Sequence, residues 1–290
     1  MMMFEKLFHE RVVLSPKVMH THIFAAPGFE FQKLLNFQGL QPFLGMKLLY
    51  YEDLVRVFYK NMKITPLGHL AIEICGKRIN INQLDWTNIA NLRYDGVKLT
   101  FKMIPEKVNF DRALVLPSMI REDVQSQNVR NASSLKMNDR LLHYTWVHIW
   151  CPRGSNFSQL LNEDIFMLWC IKNNIMINWP HYIMQHMIKC RNNNMPLPYA
   201  ILITRILQVY GFDLSNKQAI MLCWNRYFGK RSMTKLNIFH VNGVWQLGRM
   251  TKKMMKRINC HTKMLKVINL SRQSPVKLNC YPKFCSRYKT

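Results

Sequence analysis

Residues 224–231 bring aromatic and positively charged side chains together in one short segment. The segment reads WNRYFGKR and contains Trp224, Arg226, Tyr227, Phe228, Lys230 and Arg231. Such cations can contact phosphates, and exposed aromatic rings can stack with nucleic-acid bases. The competing interpretation places the rings in the core and the charges on a solvated helix end. Exposure of the rings separates the two interpretations, and a sequence does not reveal exposure.

A second group of cations follows in the C-terminal tail, at Lys252, Lys253, Lys256 and Arg257. Residues 214–290 contain 17 Lys/Arg and no Asp or Glu, whereas residues 1–213 contain 24 Lys/Arg and all 16 acids. The two parts therefore carry net charges of +17 and +8, which together give +25. A charge of this size predicts a polyanionic partner, DNA or RNA, if the tail is genuine.

The tail, residues 249–290, fits two interpretations. It is either a basic, disordered arm or the product of a shifted reading frame. An acidic run such as DDEEDDEE, read one base out of frame, yields the Met and Lys codons behind MTKKMMKR. Sequencing the transcript across codons 245–260 distinguishes the two.

The spacing of histidines and cysteines does not predict a metal site. His143 and His148 are five residues apart, as are His181 and His186. On a helix this spacing turns the second ring about 140° away from the first. Metal-binding pairs on a helix are three or four residues apart, so structural histidines are the prediction. The tail cysteines lack a CxxC spacing, and we predict no metal and no cofactor.

Two pairs of adjacent carboxylates, Glu52-Asp53 and Glu163-Asp164, stand at predicted helix starts. Negative charge suits the exposed amides of a first helical turn, which explains both pairs without catalysis. The Asp-Gly dipeptide at residues 95–96 lacks the Ser or Thr that follows Asp in an aspartic protease. The sequence shows no GxGxxG, phosphate loop or GxSxG motif, and no acidic triad for two Mg²⁺ ions. We therefore predict no catalytic residue and no small-molecule ligand.

Four apolar helices are predicted across the centre of the chain, at residues 140–214. The first spans about 135–150 and ends before Pro152, because proline disfavours helix in the preceding residue. The second is capped by Asn162 and is apolar on nearly all sides, which is typical of a buried helix. The third runs from about 180 to 191, and the fourth ends near Gly211.

The remaining elements give the fold class. Residues 32–62, 83–93 and 215–228 have helical patterns, and VKLTF and RALVL, within 94–134, are interpreted as short strands. Residues 70–81 predict a β-hairpin, and FHVNGVWQL predicts another around its Asn-Gly turn. The prediction is an α+β fold, predominantly α-helical, with a multi-helix core and two short β-hairpins. Its parts are a partly ordered N-terminal segment (1–20), one domain (21–248) and the tail (249–290).

Composition also bears on location. The longest apolar runs fall far short of the roughly 20 residues that a membrane span needs. The N-terminus carries charges from Glu5 onward, which is not the pattern of a secretory signal. We expect an intracellular protein, in the nucleus or cytoplasm, that is neither secreted nor bound to a membrane. Its eight cysteines are then reduced thiols.

A family resemblance becomes specific in the central helices. The stretch LLHYTWVHIWCPRGSNFSQLLNEDIFMLWCIKNNIMINWP, followed by LPYAILITRIL and YGFDLS, resembles the "putative plant transposon protein" domain. That domain occurs in plant open reading frames associated with gypsy-type retroelements. HERVV, PGFEFQKLLNFQGLQPFL, YYEDLVRVFYKNM, EICGKRINI and WTNIANLRYDGVKL extend the resemblance over roughly residues 9–248. It implies a retroelement-derived plant protein and supplies no catalytic residues.

Three functional hypotheses remain open. The first is a non-enzymatic domain that binds nucleic acid or assembles with other element-encoded proteins. The second is a degenerate element remnant without activity. The third is an unrecognised transposase or nuclease, which would show three carboxylates converging in a cleft.

Overall fold

The centre of the structure is the block of helices that the apolar pattern predicts. The computed structural model describes residues 9–19, 24, 26–100, 109–241 and 243–248, without the side chains of Phe31 and Asn128. The described residues up to Leu247 belong to one compact unit. The boundaries proposed at residues 20 and 248 stay predictions.

The fold class is confirmed as α+β and predominantly helical. The α-helices are α1 (Phe31–Gln38), α2 (Gln41–Leu44), α3 (Glu52–Asn61), α4 (Gln83–Ala90), α5 (Arg112–Met119), α6 (Met137–Thr145), α7 (Asn162–Lys172), α8 (Trp179–Asn192), α9 (Ala200–Val209) and α10 (Lys230–Lys235). A π-helical turn, Trp146–Trp150, continues α6, and 3₁₀ turns cover Ser126–Asn128, Ala132–Ser134 and Trp224–Arg226.

The strands form three small sheets. They are β1 (Val18–Met19), β2 (Lys63–Ile64), β3 (Leu70–Ile74), β4 (Lys77–Ile81), β5 (Tyr227–Phe228), β6 (Ile238–Val241) and β7 (Val244–Leu247). The pairs β2–β3, β3–β4 and β6–β7 are antiparallel, whereas β1 and β5 are parallel. The last pair joins the two ends of the described chain.

Helix α7 is buried on nearly all sides, as its apolar sequence predicts. Its buried apolar residues are Ile165, Phe166, Met167, Leu168, Cys170 and Ile171. The predicted cap is wrong by one residue, because Asn162 is the first helical residue and Leu161 precedes it. The side chain of Asp164 reaches back and accepts a hydrogen bond from the Leu161 N–H at 2.7 Å, which satisfies an amide of the helix start.

The ends of the neighbouring helices agree with the predictions. Asn178 caps α8, accepting a hydrogen bond from the His181 N–H at 3.0 Å, and Pro180 stands in the first turn. Beyond α9, Gly211 adopts φ +65°. Its N–H donates to the carbonyl of Gln208 at 3.0 Å, in the left-handed termination that glycine favours.

Both predicted hairpins are present. In β3–β4 the turn residues are Cys75 and Gly76, with φ of 51° and 75°. In β6–β7 Val241 pairs with Val244, and Gly243 has φ +85°. The other turn residue, 242, lies outside the described residues.

The prediction of a strand at RALVL is wrong. RALVL is the start of helix α5, where the Asp111 side chain accepts a hydrogen bond from the Ala113 N–H at 2.7 Å. A short apolar run does not distinguish strand from helix, and this cap decides for helix. The described part of VKLTF makes an isolated bridge between Val97 and Ile177.

The predicted helix at 215–228 is also wrong. Tyr50 and Ile220 instead form an antiparallel bridge, with N–H to carbonyl distances of 3.1 and 2.8 Å. A 3₁₀ turn and strand β5 follow. The apolar spacing of this segment is helical, but Trp224 is 66% exposed. Pairing with distant parts of the chain therefore overrides the local pattern.

The N-terminal segment is attached to the end of α8 by Arg11. The buried guanidinium donates to the carbonyls of Cys190 at 2.6 Å and Arg191 at 3.0 Å, and also to that of Met195. Leu14 N–H donates to the Leu197 carbonyl at 2.8 Å. These bonds satisfy carbonyls at the helix end and fix the chain on its way to β1.

Replacing Arg11 with methionine is expected to lower the free energy of unfolding by about 2–3 kcal/mol, because buried carbonyls lose a charged donor. Urea denaturation followed by circular dichroism measures the change. Arg78→Met is the matched control, because Arg78 is exposed and pairs with Glu73 on the surface. We expect the control to change stability by less than about 1 kcal/mol. Equal effects of the two substitutions would contradict the role of Arg11.

Candidate nucleic-acid interface

The segment from Trp224 to Lys235 is anchored by two core residues. Phe228 is 1% exposed, and its ring lies 5.0 Å from that of Tyr144 and 5.8 Å from that of Phe24 between centroids. Met233, in α10, is fully buried. With β5 paired to β1, these contacts hold the flanking side chains in place.

Trp224 stands on this anchored segment with its ring exposed. The guanidinium carbon of Arg231 lies 4.2 Å from the centroid of the indole, a cation–π contact that orients both groups. Of the three rings in the predicted cluster, Phe228 belongs to the core, Tyr227 is half-buried and Trp224 is on the surface. The core interpretation therefore holds for Phe228, and the exposed ring needed for base stacking is that of Trp224.

The surface beside Trp224 is basic and partly apolar. Lys47 Nζ lies 5.5 Å from the centroid of Tyr227. Leu49 and Met221 flank the bridge between Tyr50 and Ile220 and are 45% and 61% exposed. Exposed apolar and aromatic groups among cations suit a ligand with flat apolar faces and negative charge.

Lys17, next to β1, extends the positive region from the other end of the chain. Its Nζ donates a hydrogen bond to the Tyr144 hydroxyl at 2.7 Å. Burial lowers the pKa of Lys17 to about 8, and the charges of Arg226 and Lys235 act in the same direction. The positive charges of Arg226 and Lys235 therefore make the charged form of Lys17 less favourable.

The cations of this surface are not among those that pair with carboxylates in the described part of the domain. Ion pairs there join Arg56 with Glu52 and Asp53, Arg78 with Glu73, Arg93 with Asp95, Arg121 with Asp123, Arg153 with Asp164, Lys172 with Asp139 and Lys189 with Glu163. Among the described residues no carboxylate lies within 4 Å of Arg226, Lys230, Arg231 or Lys235. Within this part of the chain, the positive charge of the surface is therefore not paired with carboxylates.

Three of the seven predicted binding residues, Arg226, Lys230 and Arg231, lie together on this surface. The others, Lys252, Lys253, Lys256 and Arg257, lie outside the described residues. This surface also contains Lys17, Lys47 and Lys235, which were not among the predicted residues. Lys235 could have been found from the acid-free composition after residue 213, whereas Lys17 and Lys47 are brought in by non-local pairing.

A buried ion-pair network surrounds Asp164. One carboxylate oxygen accepts hydrogen bonds from Trp146 Nε1 at 2.9 Å and from the Arg153 guanidinium, and the other lies 3.5 Å from His143 Nε2. Burial acts to raise the pKa of Asp164, but His143 and the charge of Arg153 outweigh it and lower the pKa. The carboxylate is fully enclosed, so the network stabilises the packing of α6 against α7.

A second buried cluster combines residue types that serve as nucleophile and base in cysteine hydrolases. Cys190 Sγ lies 3.4 Å from His186 Nε2, and His186 Nδ1 lies 2.8 Å from the Tyr199 hydroxyl. Burial raises the pKa of the Cys190 thiol to about 12 and lowers the pKa of His186 to about 3. A nucleophilic cysteine needs the opposite, a lowered pKa and access. This cluster is therefore structural.

A cavity of about 400 Å³ lies between α1 and α6. Its charged lining residues are Glu30, Lys136, Asp139 and Lys172, and Lys172 Nζ lies 2.7 Å from Asp139 Oδ1. Burial raises the pKa of Asp139, although the Lys172 ammonium acts to lower it. Two acids and two bases balance in charge, so this cavity does not favour a polyanion.

The described carboxylates do not gather at one point. Within residues 9–100 and 109–248, apart from the few positions left undescribed, no group of three His, Cys, Asp or Glu side chains could hold a metal ion. In the same part of the chain, no helix has the length and apolar character to cross a membrane.

Comparison with known families identifies the family of this chain. Residues 36–213 match the family model described as "Putative plant retrotransposon-related domain". The chain belongs to this family. The expected plant retroelement origin is thereby confirmed, over a shorter stretch than the resemblance suggested. No curated protein and no solved structure shows significant similarity.

The matched region ends at Asp213, so most of the surface around Trp224 follows it in the chain. Trp224, Arg226 and the cations of α10 all lie beyond the match, and Lys17 lies before it. The family assignment therefore gives the origin of the domain and does not by itself identify a binding surface.

Proposed function

We propose that this member of the retrotransposon-related family binds single-stranded nucleic acid through a basic-aromatic surface. The surface is defined by Trp224, Tyr227, Arg226, Lys230, Arg231, Lys235, Lys17 and Lys47. The observation that carries the proposal is the exposed indole of Trp224 among cations that lack carboxylate partners within the described residues. No catalytic role is part of the proposal.

The chemistry of the surface favours single strands over duplexes. In a duplex the faces of the bases are stacked on one another, so an exposed indole has no base to contact. In a single strand each base offers a free face, and stacking on an aromatic side chain contributes about 1–3 kcal/mol per base. Leu49 and Met221 add exposed apolar area beside Trp224.

Neutralising Arg226, Lys230 and Arg231 together, by substitution with serine, is expected to weaken binding and to flatten its salt dependence. Each phosphate contact on a single strand contributes about −0.7 to the slope of log K against log salt, so the slope should become shallower by about 2. Fluorescence anisotropy of a labelled oligothymidine with the full chain, between 50 and 200 mM salt, measures both, with duplex DNA as the comparison ligand.

The control neutralises Arg78, Arg93 and Arg121, which are paired with carboxylates on the surface. It makes the same charge change and allows for the basic tail, which is present in both variants. We expect it to leave the slope nearly unchanged. Equal slopes for the two triple variants would contradict the proposed surface. No binding by the unaltered chain at low salt would contradict the function and favour an inactive element remnant.

A further inference from the structure

Lys17 stands where positive charges from three elements meet. Arg226, in the 3₁₀ turn, and Lys235, in α10, both act on its ammonium group, and Arg226 also acts on the hydroxyl of Tyr144. The parallel register pairs Val18 with Tyr227, so the residues that precede them, Lys17 and Arg226, stand at the same end of the two strands, where like charges repel one another. The fold holds them there because β1 pairs with β5 and Arg11 fixes the start of the segment.

The surroundings of the Lys17 amine disfavour its charged, protonated form. Lys17 borders a cavity of about 50 Å³ whose walls are largely apolar and include Phe43, Ile149 and Leu202. His148 also borders this cavity, and burial lowers its pKa to about 2, so its ring stays neutral. Apolar walls and a neutral imidazole give the ammonium little of the hydration that it has in water.

The groups facing this cluster from other elements do not cancel the charge. The charges of Glu52 and Arg226 both act on the Tyr50 hydroxyl. Glu52, however, already forms an ion pair with Arg56 at 2.8 Å. Tyr144 offers its hydroxyl, which also interacts with Ser232. The charged groups that act on Lys17 are the cations Arg226 and Lys235, and its ammonium also lies 4.9 Å from the centroid of the Tyr144 ring. The cluster thus has donors and positive charge, and lacks an anion.

We propose that Lys17, Arg226 and Lys235, with the hydroxyl of Tyr144, form a phosphate-binding pocket at the edge of the basic-aromatic surface. A phosphate oxygen there would accept hydrogen bonds from the cations and relieve their mutual repulsion. We assign this phosphate to the backbone of a bound single strand, an assignment that rests on the proposed function. Free phosphate carries the same chemistry and is the alternative source.

Binding in this pocket is coupled to protonation of Lys17. The anion favours the ammonium form, so binding raises the pKa of Lys17 above its value of about 8 in the free protein. Below pH 8 the amine is already charged and affinity is independent of pH. Above pH 8 binding must take up a proton, and affinity should fall by up to about tenfold between pH 7 and pH 9.

Lys17→Arg is the discriminating variant, because arginine keeps the charge and does not titrate in this range. We expect its affinity for oligothymidine to change little between pH 7 and 9, while Lys63→Arg, on an exposed position of β2, keeps the profile of the unaltered chain. Oligothymidine is the suitable probe because phosphodiesters do not titrate near neutral pH. Circular dichroism verifies that each variant is folded.

The direct readout is the titration of Lys17 in the full chain, followed by NMR of ¹³C-labelled lysine side chains and assigned with Lys17→Arg. Oligothymidine or inorganic phosphate should move its midpoint upward. If phosphate does so and oligothymidine does not bind, the pocket stands and the proposed function fails. If oligothymidine binds without affecting Lys17 or its pH profile, the proposed function stands and the pocket is refuted. No effect of either probe also refutes the pocket.

Discussion

Replacing Asp164 with alanine is expected to lower the free energy of unfolding by about 3–5 kcal/mol, the cost of removing one partner from a buried ion pair. The substitution leaves the Arg153 guanidinium, the Trp146 indole N–H and the Leu161 N–H without their shared acceptor. Urea denaturation monitored by circular dichroism gives the value. Asp53→Ala is the matched control, since Asp53 is paired with Arg56 but its side chain is 78% exposed.

The effect of Asp164 also has a predicted pH dependence. Its pKa is lowered in the folded chain from the ordinary value of 3.8, so the carboxylate stabilises the fold above that value. The stabilisation is lost as pH falls through the lower folded pKa, because the group must then be protonated. The difference between the unaltered chain and Asp164→Ala should therefore narrow in acid. A loss below about 1 kcal/mol at pH 7 would show that the network contributes little.

Gly96→Ala is expected to destabilise the domain by about 3 kcal/mol or more, because the added methyl group has no space. A Cβ at this position would lie 2.4 Å from the carbonyl oxygen of Met176 and 2.5 Å from the backbone of Ile177. Backbone atoms cannot rotate away as a side chain can. The same contact holds the bridge in which the Val97 N–H donates to the Met176 carbonyl at 2.7 Å.

Gly45→Ala provides the comparison for Gly96. A Cβ at Gly45 would meet the Gln41 carbonyl oxygen at 3.7 Å, an ordinary contact, and the backbone there has helical dihedral angles. We expect Gly45→Ala to change stability by less than about 1 kcal/mol, in the stabilising direction if at all. Thermal unfolding of both variants measures the difference. Similar melting temperatures would contradict the close approach at Gly96.

Much of the helical core could be predicted because its signals are local. Helix α7 is apolar on all sides and α8 has a cap and a first-turn proline, so short windows of sequence suffice. The same windows failed at 215–228, where Ile220 pairs with Tyr50 across the domain. They failed at RALVL because the deciding interaction is the cap from Asp111, just before the apolar run.

The candidate surface was predictable only in part, for a similar reason. Arg226, Lys230 and Arg231 are neighbours in sequence, and their proximity to Trp224 follows from that. Lys17 joins them only through the parallel pairing of β1 with β5, which connects residues about two hundred positions apart. The buried partners of Asp164 were not predicted either. A carboxylate in a first helical turn is already accounted for by the exposed amides of its own helix. Exposure of Trp224 depends on the whole fold.

The most direct test of the central claim is the position at which a bound single strand touches the chain. Ultraviolet crosslinking of oligothymidine to the full chain, followed by digestion with trypsin and mass spectrometry, locates the contact. The account predicts adducts on the peptides that contain Trp224 and Tyr227, and loss of the Trp224 adduct at high salt. Adducts confined to residues 249–290 would show that the basic tail binds the strand and would contradict the proposed surface.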